Sequence, residues 1–251
     1  MNHSNLFVIP EPVNNPKIRL FCFPYAGGSH TIYTPWLGQF KDCIELVFIQ
    51  LPGRGSRLIE TPHNNMASII DELMEHADYI TNTPYMLFGH SLGSRIAFDL
   101  AYNLHNENYP LPEYFIGSGS RAPHLKDEKK SIHSLPNEQF IVELDKMNGT
   151  DKRILQNEEL VNLLTPMLRA DFKIAELHQA PKIAISVPFT ILQGSDDIDI
   201  TPAQLNAWSE LSQAEISIVH LPGDHFFINH HSSLVINQVN RILDNILNIL
   251  D

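Results

Sequence analysis

Short apolar runs alternate along the chain with longer stretches in which apolar residues recur every three or four positions. The first pattern predicts buried strands and the second predicts amphipathic helices. Strands are predicted at residues 18–23, 45–49, 85–88, 114–117, 188–193 and 215–220. Helices are predicted at residues 34–40, 66–80, 92–105, 202–211 and 234–250. Because alternating strands and helices are typical of a mostly parallel sheet with helices on both faces, we expect an α/β fold.

One interruption of this alternation runs from about residue 124 to residue 182. It contains two helical patterns, at 137–147 and 158–175, with no strand-like run between them. A helical insertion of this kind can lie over a site as a lid, or it can simply enlarge the core. No linker rich in glycine, serine or charge divides the chain, so residues 1–251 are expected to form a single domain that includes the insertion.

Composition and charge narrow the function classes. The 17 basic and 29 acidic residues give a net charge of −12, which argues against a nucleic-acid surface and against an anionic membrane. No apolar run approaches the roughly 20 residues that span a bilayer, and the first residues do not form a secretory signal. Cys22 and Cys43 lie in or beside strand patterns, where reduced thiols are expected. We therefore expect a soluble, cytoplasmic protein. No set of residues has the spacing of a zinc site, so no metal is expected.

The most informative motif is Gly-His-Ser-Leu-Gly at residues 89–93. It lies between a predicted strand and a predicted helix, which is the position of the nucleophile elbow in α/β-hydrolases. At such an elbow the backbone turns sharply and the serine projects into a cleft, so Ser91 is the candidate nucleophile. A glycine-rich turn without catalytic function is the alternative reading of the same five residues.

A serine nucleophile needs a histidine base, and that base needs a carboxylate to orient it. In α/β-hydrolases the acid and then the histidine follow the serine along the chain, each after a strand. Three aspartates follow the strand predicted at 188–193; Asp197 is favoured as the acid and Asp196 is the alternative. The strand predicted at 215–220 is followed by a Pro-Gly-Asp turn and then by His225, the candidate base.

An oxyanion hole completes this chemistry. In this fold one donor is the backbone N–H after the nucleophile, here that of Leu92, and the other comes from an earlier loop near the site. The loop after the first predicted strand contains Gly27 and Gly28, which let the backbone approach a ligand closely. Ala26 is the candidate donor from this loop. Acyl transfer by such a set of groups requires no cofactor, and we expect none.

The chain resembles the type II thioesterases, stand-alone α/β-hydrolases that serve nonribosomal peptide and polyketide synthetases. Five blocks in the same order carry the resemblance: FPYAGG at 23–28, QLPGRG at 50–55, FGHSLG at 88–93, LRADF at 168–172 and GDHFF at 223–227. The resemblance implies a catalytic triad of Ser91, Asp197 and His225. It also implies that Ala26 and Leu92 supply the oxyanion-hole N–H groups and that the helical insertion is a mobile lid.

Small departures from the family pattern concern the lining of the site. Tyr25 occupies a position where histidine is common, and Leu92 and Ser94 occupy positions where methionine and alanine are common. These changes leave the expected chemistry intact. Tyr25 and Phe226 are the candidate substrate-binding residues, because both directly neighbour the expected catalytic groups along the chain.

The resemblance also implies a substrate and a partner. The substrate is an acyl or aminoacyl thioester on the phosphopantetheine arm of an acyl or peptidyl carrier protein domain, and its hydrolysis clears stalled or mischarged carriers. We expect a monomer, with no nucleic-acid or membrane partner. Candidate carrier-contacting residues are Arg54, Arg57, Arg121 and the run 126–130. Two other functions remain open: a cytosolic carboxylesterase of small free esters, and a non-catalytic binding protein on this scaffold.

Overall fold

The computed structural model describes residues 5–129, 131–147, 149 and 152–250. Within them, seven strands form one sheet in the order β1-β3-β2-β4-β5-β6-β7. The strands are β1 (Phe7–Val8), β2 (Ile18–Phe23), β3 (Ile44–Ile49), β4 (Tyr85–His90), β5 (Tyr114–Ser118), β6 (Phe189–Gly194) and β7 (Ile216–Leu221). All neighbouring strands pair in parallel except β1, which is antiparallel to β3 at one edge.

The α-helices of the described residues are α1 (Met66–Met74), α2 (Ala77–Thr81), α3 (Leu92–Asn106), α4 (Asn137–Lys146), α5 (Lys152–Leu155), α6 (Glu158–Leu177), α7 (Pro202–Asn206), α8 (Phe227–His230) and α9 (Ser232–Leu250). Short 3₁₀ helices lie at His30–Trp36, Gly55–Arg57 and Ala207–Glu210. No helix within the described residues is long and apolar enough to cross a membrane.

The sheet is buried on both faces. Every residue of β3, β4 and β6 is buried, as expected for parallel strands covered by helices on each side. One face packs against α1 and α3, in a core that includes Leu73 and Ile96. The other face packs against α9 and the first 3₁₀ helix, in a core that includes Trp36 and Val239. The structure therefore confirms the predicted α/β fold.

The six predicted strands are all present, whereas three predicted helices differ from the observed ones. The pattern at 34–40 belongs instead to the 3₁₀ helix His30–Trp36, which contains Pro35, a residue without a backbone N–H to donate. The pattern at 66–80 forms two helices, because the backbone leaves the helical region at His76, whose ring packs against Phe7 of β1. The pattern at 202–211 forms α7 and a 3₁₀ turn.

The helical insertion between β5 and β6 consists of α4, α5 and α6. A small core of its own joins α4 to α6, and its buried members are Ile132, Phe140, Leu144, Met167 and Leu168. The end of α6 is tied to the rest of the protein, because the carbonyl of Ala175 accepts hydrogen bonds from Arg95 of α3 and from Arg121 after β5. α6 is thus shared between the insertion and the main body of the fold.

Candidate active site

Ser91 lies at the apex of the turn between β4 and α3. Its backbone has φ +53° and ψ −115°, a combination that non-glycine residues rarely adopt. A Cβ atom on Gly89 would lie 2.3 Å from the carbonyl carbon of Gly93, and one on Gly93 would lie 2.1 Å from the carbonyl oxygen of Phe23. Both glycines are therefore required by close packing. The Ser91 N–H donates to the carbonyl of Ser118 at 2.8 Å, which holds the turn against β5.

Ser94 fastens the first turn of α3 to the neighbouring strands. Its buried hydroxyl lies 2.7 Å from the carbonyl oxygen of Gly89 and 3.0 Å from that of Ser118. The same hydroxyl accepts the N–H of Ser118 at 3.0 Å. Alanine, which is common here in the resembled family, makes none of these bonds, so in this chain Ser94 adds polar support beneath the turn.

His90 links the turn to the loop that carries the candidate base. Its ring is fully buried, with Nε2 2.9 Å from the carbonyl oxygen of His225 and Nδ1 2.8 Å from the hydroxyl of Ser118. Because a carbonyl only accepts, Nε2 carries the proton and Nδ1 accepts from Ser118. Burial, and to a smaller extent the nearby His225, lower the pKa of His90 to about 3, so this imidazole stays neutral at physiological pH.

Asp197 and His225 form a hydrogen-bonded pair across the ends of β6 and β7. The Oδ2 atom of Asp197 lies 2.9 Å from Nδ1 of His225, and its Oδ1 atom accepts the N–H of Asp199 at 2.9 Å. Burial raises the pKa of Asp197, but the hydrogen bond and charge of His225 outweigh that effect, so the net pKa is lowered. Since the carboxylate only accepts, Nδ1 of His225 carries a proton and Nε2 remains able to accept one. The alternative acid, Asp196, is exposed.

Ser91 and His225 line the same cavity, which has a volume of about 150 Å³. Tyr25 and Phe226 line it as well, with ring centroids 5.2 Å apart, and the Phe226 ring also packs edge-on against His225. Within the described part of the chain, the Ser91 hydroxyl makes no hydrogen bond, including none to His225. The structure therefore places Ser91 and His225 at one cavity, with Asp197 hydrogen-bonded to His225 and without a hydrogen bond between Ser91 and His225.

The loop after β2 forms a tight turn beside this cavity. The N–H of Gly28 donates to the carbonyl of Tyr25 at 2.8 Å, and Gly27 has φ +76°, a combination typical of a type II turn. Ala26 is the second residue of this turn and lines the cavity. Leu92 is the first residue of α3, where a backbone N–H has no partner within the helix.

Three basic residues predicted to face a carrier are buried instead, which corrects that expectation. Arg54, Arg57 and Arg121 are 4%, 7% and 4% exposed. Arg54 forms a two-pronged ion pair with Asp171 at 2.7 Å, and Arg57 lies 2.6 Å from Glu72. Their guanidinium groups are used inside the protein, and sequence alone gives their charge but not their burial.

One group of possible metal ligands occurs among the described residues: atoms of Asp197, Asp199 and His225 lie within 4.8 Å of one another. Asp197 and His225 are already bonded to each other, and Asp199 pairs with Lys129 at 2.5 Å. The donor atoms are thus engaged by protein partners, and the arrangement fits a hydrogen-bonded acid and base.

Comparison with known proteins bears on the chemistry of this site. A family model described as a thioesterase domain matches residues 18–243. The chain belongs to the thioesterase family. Gramicidin S biosynthesis protein GrsT of Aneurinibacillus migulanus is 38% identical over 91% of this chain and 90% of its own length. A Brevibacillus parabrevis protein named linear gramicidin dehydrogenase LgrE is 35% identical over 97% of this chain and 94% of its own.

Solved structures show the same relationship. The type II thioesterase BorB from the borrelidin biosynthetic cluster superposes with a TM-score of 0.86 and 28% identity, covering 96% of this chain and 99% of that one. Family membership and these neighbours establish an α/β-hydrolase fold and a thioester hydrolase, as the sequence motifs predict.

The contacts of three residues near this thioesterase site are not predicted by the sequence analysis. His90 occupies a variable position of the elbow motif, and nothing in the pattern indicates that it contacts the loop of His225. Asp171 and Arg54 lie in two of the matched blocks, yet their pairing joins positions 117 residues apart. The block matches could have drawn attention to these residues, but only the fold shows what they touch.

Proposed function

We propose that this thioesterase hydrolyses acyl or aminoacyl thioesters from the phosphopantetheine arm of carrier protein domains. The role is that of an editing enzyme in nonribosomal peptide or polyketide synthesis. The observation that carries the proposal is that Ser91 and His225 line one cavity of a thioesterase-family chain, with His225 hydrogen-bonded to Asp197. The names of the relatives support the proposed pathway, because they refer to gramicidin and borrelidin biosynthesis.

The proposed acylation step gives a role to each polar group of the site. The Ser91 oxygen attacks the thioester carbonyl carbon while His225 Nε2 takes the hydroxyl proton, and Asp197 stabilises the resulting imidazolium. The N–H groups of Ala26 and Leu92 donate to the oxyanion. When the intermediate collapses, the carbon–sulfur bond breaks and the imidazolium protonates the leaving thiolate.

Deacylation repeats these steps with water as the nucleophile. His225 removes a proton from the water, the hydroxide attacks the acyl-enzyme, and the Ser91 oxygen leaves with the proton. The free acid and the thiol arm are the products. The absent Ser91–His225 hydrogen bond is compatible with this scheme, because catalytic bonds are often long in free enzymes and shorten in the substrate complex.

Access to the cavity is proposed to depend on the outer part of the insertion. α6 contributes Phe172, Ala175 and Glu176 to the cavity wall and is anchored to α3 through Ala175. α4 and α5 instead pack on α6 through the insertion's own small core. We therefore assign the role of the lid within the predicted 124–182 insertion to α4 and α5, and we retain a single domain for the whole chain.

The carrier is proposed to approach beside the run 126–130. Lys126 and Lys129 are exposed, and Asp127 and Lys129 line the cavity that holds Ser91; Lys130 lies outside the described residues. Lys129 is paired with Asp199, so among the described residues of this run Lys126 is the cation that we propose to meet an acidic carrier domain. We further propose a cytoplasmic monomer, with Tyr25 and Phe226 contacting the bound acyl thioester.

The dehydrogenase name of one relative has no counterpart in the geometry of the residues that the structure describes. Residues 117–122 read GSGSRA, the nearest match to a dinucleotide-binding glycine pattern. They follow β5 but lead into irregular chain and not into a helix, whose N-terminus such a site requires. A Cβ atom on Gly119 would lie 2.7 Å from the His90 ring, so this glycine makes room for His90.

The proposed substrate is tested by comparing kcat/KM for three substrates that carry the same acyl group: an aminoacyl carrier domain, the corresponding coenzyme A thioester and a p-nitrophenyl ester. We expect the carrier thioester to be preferred, with Ser91→Ala as the inactive control. A preference for the free ester by orders of magnitude would favour the carboxylesterase alternative. No Ser91-dependent turnover of any substrate would favour the binding-protein alternative.

A further inference from the structure

One carboxylate of the insertion reaches the loop that carries the candidate oxyanion donor. Asp171 of α6 is 2% exposed. Its Oδ2 atom accepts the backbone N–H of Gly27 at 2.7 Å. The guanidinium of Arg54 donates to both oxygens of the same carboxylate, each at 2.7 Å. A single buried carboxylate therefore joins α6, the turn after β2 and the turn after β3.

The two turns are shaped to receive α6. A Cβ atom on Gly27 would lie 2.6 Å from a side-chain carbon of Leu168, and one on Gly53 would lie 3.2 Å from Met167. Both glycines have positive φ, +76° and +82°, a backbone conformation that favours glycine. These contacts explain why glycines recur in two separate sequence blocks: α6 packs directly against both turns.

Arg54 holds the same turn at a second atom. Besides pairing with Asp171, its guanidinium donates to the carbonyl of Gly28 at 3.0 Å. The N–H of Gly27 and the carbonyl of Gly28 are thus both fixed by one ion pair. The peptide unit between Ala26 and Gly27 contains the Gly27 N–H and is joined to the Ala26 N–H through the Cα atom of Ala26. Its rotation would change the ψ angle of Ala26 and the shape of the turn. The hydrogen bond from Gly27 to Asp171 opposes that rotation.

We propose that Asp171 is a positioning residue for catalysis: from α6 it fixes the turn 25–28 so that the Ala26 N–H points at the developing oxyanion. Arg54 holds the Asp171 carboxylate in place through two hydrogen bonds, and it secures the other end of the turn through the Gly28 carbonyl. The inference rests on the proposed function of Ala26. With this role for Asp171, α6 is a fixed support of the oxyanion hole, in contrast to α4 and α5.

A purely structural ion pair leads to a different expectation. Buried ion pairs can often be replaced by apolar residues of similar size at little cost in stability, whereas removal of one partner is strongly destabilising. Both charges are therefore removed together. In Arg54→Met/Asp171→Leu the Gly27 N–H loses its acceptor, whereas in Arg54→Met/Asp171→Asn an amide oxygen can still accept it. The two double variants differ in this hydrogen bond and have the same net charge.

The experiment measures steady-state hydrolysis of an aminoacyl carrier and the rate at which a fluorophosphonate labels Ser91. In labelling, the serine oxygen bonds to phosphorus, fluoride leaves, and the phosphoryl oxygen occupies the oxyanion hole. We expect the Met/Leu variant to lose about 100-fold in kcat and in labelling rate, with KM changed less than about 3-fold. The Met/Asn variant should recover to within about 5-fold of the wild type. Both should keep their Tm within about 5 °C.

A matched control is the pair Arg19–Glu45, whose side chains are 12% and 7% exposed and 2.8 Å apart, near the N-terminal ends of β2 and β3. Arg19→Met/Glu45→Leu should leave kcat and the labelling rate unchanged. Equal rates for the Met/Leu and Met/Asn variants, whether normal or impaired, would overturn the proposal. Should the leucine variant fail to fold, Arg54→Met/Asp171→Ala takes its place in the same comparison. Labelling does not depend on the natural substrate, so failure of the carrier assay alone rejects the proposed function and not this inference.

Discussion

His90 should make the protein sensitive to mild acid. The folded protein holds this imidazole neutral, with a pKa of about 3, because it is fully buried between Ser118 and the carbonyl of His225. In the unfolded chain the ordinary histidine pKa of about 6.5 applies. Below that pH the unfolded state binds a proton at His90, whereas the folded state leaves His90 neutral. The stabilisation is therefore complete above about pH 6.5 and is lost progressively as the pH falls toward 3.

The size of the effect follows from the width of this window. Each pH unit within it removes about 1.4 kcal/mol of folding free energy, so a fall to pH 5 costs about 2 kcal/mol. For a domain of this size, that loss lowers Tm by about 4–8 °C. Asp197 contributes little here, because its lowered pKa means that its stabilisation is lost only below the usual carboxyl range.

The assay is urea unfolding of the wild type and of His90→Gln at half-unit steps between pH 7.5 and pH 5. Glutamine can hydrogen-bond but does not titrate, so the variant should be less stable at pH 7.5 and should show a flatter pH dependence. His105→Gln is the control, because this histidine is exposed and its replacement removes no buried imidazole. Parallel curves for the wild type and His90→Gln would refute the reasoning.

Three further substitutions test the site itself. Asp197→Asn should lower kcat by about 10⁴-fold, because the imidazole loses its orienting carboxylate, whereas Asp196→Asn should retain activity; the reverse result in a turnover assay would show that the wrong acid is assigned. Ser94→Ala should cost about 1–3 kcal/mol in urea unfolding, because the N–H of Ser118 loses its acceptor, and an unchanged midpoint would count against that bond. Gly93→Ala should prevent normal folding, since its Cβ atom would lie 2.1 Å from a carbonyl oxygen at the end of β2; a native circular dichroism spectrum with full activity would contradict this packing.

The strands were predictable because parallel strands buried on both faces appear as continuous apolar runs, and β2 was placed to the residue. β1 was missed because two residues are too few to show alternation. The helix predicted at 66–80 was wrong in its continuity, since the break at His76 goes with a contact to Phe7 on β1, a strand that local periodicity does not reveal.

Within the site, the candidate catalytic residues could be predicted from motif order, because each follows a strand whose end lies at the same edge of the sheet. The contacts of the supporting residues could not. His90 contacts a carbonyl 135 positions away, and Asp171 accepts an N–H 144 positions away. A hydrogen bond to a backbone group does not depend on the side chain of the partner residue, so the sequence does not reveal it. Arg54 is predicted to face a carrier because the sequence gives its charge but not its burial, and its ion-pair partner Asp171 lies 117 positions away in α6.

The most direct test of the account is to follow the acyl group itself. The enzyme is mixed with a carrier domain that bears an isotopically labelled aminoacyl thioester, quenched within milliseconds, digested and analysed by mass spectrometry. We expect the label to appear first as an ester on the peptide containing Ser91 and then as free acid. Ser91→Ala should form neither the labelled ester nor the free acid. Release of free acid at an unchanged rate by Ser91→Ala, without a labelled Ser91 peptide in the wild type, would contradict the account.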